Sequence, residues 1–217
     1  MSGSFKKGET LRFADYITGF EPYWDYNENS SWAVAEKVAA CTIEQVNISV
    51  EQMPVSFAKV AGALHMAIER HCPDLIIMLG QSGGSDKVKL ERVALNMMDA
   101  KRADNDGYIP NEESIYKGGD AALFCNMPIK SLCAKIGEHG ISVKISNSCG
   151  LYVCNRLYYE ALMLCKEYPL MKAIFVHLPF YEGQLSAKPN KPRMLLNDLS
   201  KAIQTIIEET YDKGRTI

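Results

Sequence analysis

The chain has 217 residues, 47% of them hydrophobic and 23% charged, and its 24 basic and 26 acidic residues leave a net charge of −2. That length can bury a large core, and a balanced charge without a basic tail or stripe argues against a nucleic-acid partner. No apolar run approaches the roughly 18 residues that span a membrane, the first 13 residues hold no apolar secretory segment, and an odd set of seven cysteines reads as free thiols in a cytoplasmic chain.

Residues 11–17 read as a first strand, ended by Thr18-Gly19-Phe20-Glu21-Pro22 and an aromatic loop. A short helix is expected over residues 31–39, with Asn and Ser before it as caps, and a second strand over 43–50. Residues 56–71 form a clear helical pattern, with Phe57, Val60, Ala61, Leu64 and Ile68 on one face, and Pro73 stops it. Leu75-Ile76-Ile77-Met78-Leu79 is a continuous apolar run, as in a parallel strand covered on both faces.

At the carboxyl end of that run stand Gly80, Gln81, Ser82, Gly83 and Gly84, either a plain turn or an anion nest. Glu91 lies in a mixed segment of the kind that usually carries a solvated carboxylate. Residues 103–107 are a turn cluster without calcium-loop spacing, and 107–121 read as a surface loop. A helix over 128–138 starts on Pro and ends before Gly140. Residues 141–145 alternate as a strand, residues 153–166 are helical, and 173–179 form another apolar strand. A polar loop over 182–192 leads to a last helix over 192–211. Strands alternate with helices throughout, without repeat or linker. The expectation is one domain over residues 1–217, a three-layer α/β/α sandwich with a mixed, mostly parallel sheet.

Between the strand at 141–145 and the helix at 153–166 lie Ser, Asn and Gly, which are turn and N-cap residues, so Cys154 falls in a first helical turn. Unpaired N–H groups there favour a thiolate. From position alone Cys154 is either a nucleophile or a small buried hydrophobe. Neither Cys149 nor Cys154 has a CxxC spacing or a neighbouring His, so no metal site is expected. A thiol nucleophile needs a base, and His177, at a strand's carboxyl end, is placed better than His65, His71 or His139.

Four patches together resemble the type I pyroglutamyl peptidases, the pyrrolidone-carboxylate peptidase family. They are Thr18-Gly19-Phe20-Glu21-Pro22; Gly80-Gln81-Ser82-Gly83-Gly84 leading to Glu91-Arg92-Val93-Ala94-Leu95-Asn96; Ser146-Asn147-Ser148-Cys149-Gly150-Leu151-Tyr152-Val153-Cys154-Asn155; and Phe175-Val176-His177-Leu178-Pro179. The resemblance implies a phosphorylase/hydrolase-like α/β/α fold and removal of an N-terminal pyroglutamyl residue from peptides, without metal or cofactor. It puts the catalytic residues on Glu91, Cys154 and His177. The lactam ring falls to Phe20, Tyr23, Tyr152 and Val153, with backbone near Gln81 bonding its amide. Family members are monomers and higher oligomers, so a homo-oligomer is compatible.

Departures from the family pattern are Tyr23-Trp24-Asp25 for Phe-Gly-Gly, Ser85 for Arg, Lys101 for an Arg implied at the oxyanion, and Arg102 for an Ile beside the ring pocket. Lys keeps the charge of Arg but loses the planar fork. Two other readings stay in view. One is a nucleoside-processing enzyme of similar fold, for which no arginine cluster is evident. The other is a catalytically weak homologue that binds peptides.

Overall fold

The computed structural model describes residues 13–184 and 189–212. Residues 11 and 12 of the expected first strand, the first 12 of the 13 residues read for a secretory signal, and residues 185–188 of the polar loop lie outside these. In chain order the elements are β1 (Phe13–Phe20), α1 (Ser30–Ala39), β2 (Val46–Met53), α2 (Val60–His71), β3 (Leu75–Gln81), β4 (Val88–Glu91) and β5 (Val93–Leu95). Then follow β6 (Ala122–Phe124), α3 (Ile129–Glu138), β7 (Val143–Ser146), α4 (Val153–Glu167), β8 (Lys172–Leu178), β9 (Phe180–Tyr181), β10 (Arg193–Met194) and α5 (Leu196–Asp212).

Three boundaries differ from expectation for local reasons. Residues 43–45 make a turn, with Val46 N–H donating to the Ile43 carbonyl and Gln45 at φ 64°, so β2 starts later. Residues 57–59 form a turn that leads into α2, with the Phe57 N–H donating to Asp104 and the Lys59 N–H to the Ser56 hydroxyl, so the helix proper begins at Val60. Arg193 and Met194 pair with β9 as a parallel ribbon, which delays α5 to Leu196.

Six strands form one sheet in the order β2-β1-β3-β8-β4-β7. All neighbours are parallel except β4 and β8, so β4 and β7 run against the other four. β5 and β6 make a separate antiparallel pair. β3 is buried along its whole length, as its apolar run requires. Side chains alternate across the sheet. Tyr16, Phe20, Ile76, Met78 and Phe175 face α2 and α4, while Ile17, Leu75, Ile77, Leu79, Ile174 and Val176 face α1, α3 and α5. The result is a three-layer α/β/α sandwich with a mixed, mostly parallel sheet.

From β1 the chain goes outward through α1 to β2, then returns through α2 to β3 on the other side of β1. The winding reverses between β1 and β3, and such a switch point is where open α/β sheets bind ligands. Pairing between these strands stops at Thr18 and Met78, although β1 continues to Phe20 and β3 to Gln81. Their ends splay and leave a cleft.

One buried acid makes the fold pH-sensitive. Asp15 is 2% exposed, accepts a short hydrogen bond from the Tyr211 hydroxyl, and has no hydrogen-bond partner for Oδ2 among the described residues. Burial pushes its carboxyl up to about 7, against the pull of Tyr211 and with help from Asp74. An unfolded Asp titrates near ~3.9. The folded state therefore holds this proton more tightly, and the stability it supplies is complete below about pH 4 and lost as pH rises toward 7. Asp15→Asn keeps an acceptor for Tyr211 without the charge. Urea unfolding of both proteins should show the variant gaining on the native protein by a few kcal/mol, roughly 1.4 per pKa unit, between about pH 4 and pH 8. A difference that does not change with pH contradicts the assignment.

Candidate active site

The α2/α4 face of the sheet carries the polar centre. In the antiparallel register Glu91 lies opposite Phe175, and Lys89 opposite His177. Glu91 is thus the diagonal neighbour of His177 on one face, within reach of a long side chain. Its Oε1 lies 2.8 Å from His177 Nδ1. Glu91 is fully buried, and its Oε2 has no hydrogen-bond partner among the described residues. The local reading of a solvated carboxylate is therefore wrong: a four-residue strand carries Glu91 under the sheet's cover, and the imidazole is its partner. Burial pulls His177 toward the neutral form, but negative charge on the neighbouring sulfurs of Cys149 and Cys154 and on Glu91 outweighs it and holds the imidazole well above its usual range.

Gly80 explains why the ring can lie there. A Cβ on Gly80 would sit 2.8 Å from the Phe175 ring and 3.0 Å from His177 Cδ2. The glycine is thus part of β3, where it lets two rings pack against the strand.

Cys154 reaches the same place from α4. Residues 147–152 connect β7 to α4 through Gly150, which adopts φ 75°. The expected Ser, Asn or Gly cap is absent: Tyr152 is the N-cap, in extended conformation, and makes no side-chain cap bond. Among the described residues the first N–H groups of α4 have no side-chain acceptor, and they lie at the positive end of the helix dipole. Asn155 fixes this turn. Fully buried, it accepts from Leu95 N–H and donates to the Leu95 and Met97 carbonyls at 2.8–2.9 Å. Cys149 is also at the centre, 5% exposed, and burial pushes its thiol up.

These groups open onto a cavity of about 370 Å³. Phe20, Tyr23, Gln81, Lys101, Arg102, Tyr152, Val153, Cys154 and His177 all line it, and Glu91 stands behind His177. Gln81 reaches the start of α1 with Oε1, which accepts from Ser30 N–H at 2.9 Å and Gln184 Nε2 at 2.7 Å, while its Nε2 donates to the Tyr23 hydroxyl at 3.5 Å. Arg102 points outward: its guanidinium stacks 4.3 Å above the Trp24 ring and lies 3.3 Å from Asp25. Trp24 also packs against Tyr23 and Tyr152, and its indole N–H donates to the Ala103 carbonyl.

Sequence reasoning missed the residues that hold these walls together. Glu21 Oε1 accepts from Val55 N–H at 2.9 Å and Asn105 Nδ2 at 2.8 Å, which ties three loops. Asp104, inside the turn cluster, accepts from Phe57, Asp106 and Tyr108 N–H groups. Acidic residues inside turn sequences were the available signal, since Asp so often bonds backbone there. The other histidines are occupied elsewhere: His65 pairs with Glu160, His71 with Glu51, and His139 caps α3. Among the described residues no group of three or more His, Cys, Asp or Glu could hold a metal, and no helix is long and apolar enough to cross a membrane.

Known proteins resemble this chain in sequence and in fold. The model of the pyroglutamyl peptidase family matches residues 15–213. A pyrrolidone-carboxylate peptidase of Bacillus cereus is 36% identical over 195 residues, covering 89% of this chain and 91% of the relative. The crystal structure of Bacillus amyloliquefaciens pyroglutamyl peptidase I superposes with a TM-score of 0.85 at 32% identity, covering 89% of this chain and 94% of that one. The pyrrolidone carboxyl peptidase of Fervidobacterium islandicum gives a TM-score of 0.88 at 30% identity, with coverage of 93% and 99%.

Gly80→Ala tests the packing under the imidazole. The added methyl should cost about 1–3 kcal/mol of stability, as overpacking does. It should also lower the His177 pKa, read from imidazole NMR shifts, as the ring is pushed off Glu91. Unchanged unfolding together with an unchanged His177 titration would show that the close approach does not matter.

Proposed function

Because the chain belongs to the pyroglutamyl peptidase family, we propose that it is a cysteine exopeptidase that removes N-terminal pyroglutamyl residues from peptides through Glu91, Cys154 and His177. The observation that carries this reading is the buried Glu91 carboxylate 2.8 Å from His177 Nδ1, with the imidazole and Cys154 together on one cavity wall.

Glu91 accepts from His177 Nδ1–H and orients the ring, so that Nε2 faces the thiol. The Cys154 proton rests on His177 Nε2 before substrate reacts, and Sγ attacks the pyroglutamyl carbonyl carbon as the thiolate. The oxyanion that forms is held by the Cys154 backbone N–H at the start of α4 and by Lys101. Collapse breaks the C–N bond, and His177 protonates the leaving amine. Water then attacks the thioester, gives its proton to His177, and releases pyroglutamate and the thiolate.

The lactam ring is small, flat and uncharged. Phe20, Tyr23, Tyr152 and Val153 supply apolar walls, and the open end of β3 at residues 80 and 81 supplies backbone for its amide. An unpaired buried amide would cost roughly 1–3 kcal/mol, which selects a ring with that donor and acceptor. Arg102 adds a rim through its stem and its stack on Trp24, with the charge directed to Asp25 and water. The family match over residues 15–213 supports treating the whole chain as one pyroglutamyl-peptidase-like domain. A thiolate nucleophile in a chain whose seven cysteines are all free fits a reducing compartment, and we place the protein in the cytoplasm.

Hydrolysis of a pyroglutamyl-aminocoumarin substrate tests the proposal. Cys154→Ala should abolish turnover, and His177→Ala should lower kcat by about 10²–10⁴. Glu91→Gln should cost less than His177→Ala and move the alkaline limb of kcat/KM to lower pH, because the carboxylate no longer favours the imidazolium. No turnover by the native protein, or a Glu91→Gln enzyme with an unmoved alkaline limb, contradicts the assigned roles.

A further inference from the structure

Two thiols meet at the imidazole where the proposed chemistry needs one. Cys149 and Cys154 are five residues apart, with the left-handed Gly150 turn and the α4 N-cap between them. Both line the cavity beside His177, and none of the other five cysteines does. Both lie near enough to His177, and to each other, for charge on one to act on the others. Their exposure differs. Cys154 is partly open, whereas Cys149 is 5% exposed and packed in the core with Val153, Tyr158 and Phe175. An oxidant arriving from solvent therefore meets Cys154 first.

We propose that Cys149 is a resolving thiol, which captures peroxide-oxidised Cys154 as a reversible Cys149–Cys154 disulfide. The inference rests on the reading of Cys154 as a thiolate nucleophile. Cys154 thiolate attacks a peroxide oxygen and breaks the O–O bond; with hydrogen peroxide this gives the sulfenic acid and water once the leaving hydroxide is protonated. The Cys149 thiol gives its proton to His177, and its sulfur attacks Cys154 Sγ and expels hydroxide, which takes that proton back. In sum, two thiols and one hydrogen peroxide become one disulfide and two waters. A dithiol reverses this by two exchange steps and regenerates both thiols. The buried thiol cannot easily act as a nucleophile toward substrate, since burial keeps it protonated. It is nevertheless at hand when its neighbour is oxidised, before a second oxidation makes the irreversible sulfinic acid.

The test treats the full-length protein with a small excess of hydrogen peroxide, then blocks free thiols and digests with trypsin. Lys144 and Arg156 bound a peptide that contains both cysteines. In the native protein this peptide should be two hydrogens lighter than its reduced form, and dithiothreitol should restore most of the starting activity. Cys149→Ser, compared with its own untreated activity, should recover several-fold less and carry sulfinic acid on Cys154. Cys149→Ala should do the same, which separates loss of the thiol from a defect of one substitution. A native peptide that carries sulfinic acid instead of the disulfide overturns the proposal, as does full recovery in both variants. A protein that forms the disulfide yet never hydrolyses the pyroglutamyl substrate supports the thiol chemistry and overturns the peptidase reading, so the two failures are distinguishable.

Discussion

The hydrogen bond between Glu91 and His177 across the β4–β8 pair is the interaction on which the site depends. A carboxylate with no exposure costs several kcal/mol unless it is paired, so Glu91 is tolerable only with the imidazole against it. The antiparallel pairing makes this arrangement. β4 runs away from the cavity, so its last residue lies two pairs deeper than His177, opposite Phe175 rather than opposite the imidazole. Glu91 is thereby kept behind His177 and away from the cavity. It turns one ring nitrogen inward and leaves the other for the thiols.

The rest of the architecture brings a neutral binding pocket to that ring. The winding reversal between β1 and β3 splays their ends and opens the cleft. Phe20 closes one side, and α4 brings Tyr152, Val153 and Cys154 to another. Because the outer walls come from loops, their position relies on hydrogen bonds made by Glu21, Asp104 and Asn155 rather than on the sheet. Gln81 and Gln184 serve the start of α1 in the same way. Loops held by buried polar side chains can keep a site's shape while varying its rim, and Trp24, Asp25 and Arg102 are such a rim.

The elements most legible in the sequence were those with strong apolar signals. The run 75–79 and the segment 173–179 read as buried strands because strands covered on both faces need nearly continuous apolar residues. α4 was legible from its period, and with it the place of Cys154 in a first turn. Local physics stopped at Glu91. Four residues of mixed character give no period, and nothing local to them reveals an antiparallel partner 86 residues away. The family resemblance supplied that residue. The cap of α4 was misread because Ser, Asn and Gly are good caps, whereas the chain spends them on the turn around Gly150. Cys149 was passed over because a turn position says nothing of what the turn folds against.

The protonation state of His177 tests the central claim most directly. A nitrogen-15 NMR spectrum of the free protein at about pH 7.5 reads both ring nitrogens without substrate or turnover. The account predicts an imidazolium with both nitrogens protonated and a far-downfield Nδ1 proton in the bond to Glu91. A neutral ring with a bare nitrogen at that pH would contradict it, because the neighbouring sulfurs and the buried carboxylate would then not be holding the charge on the imidazole.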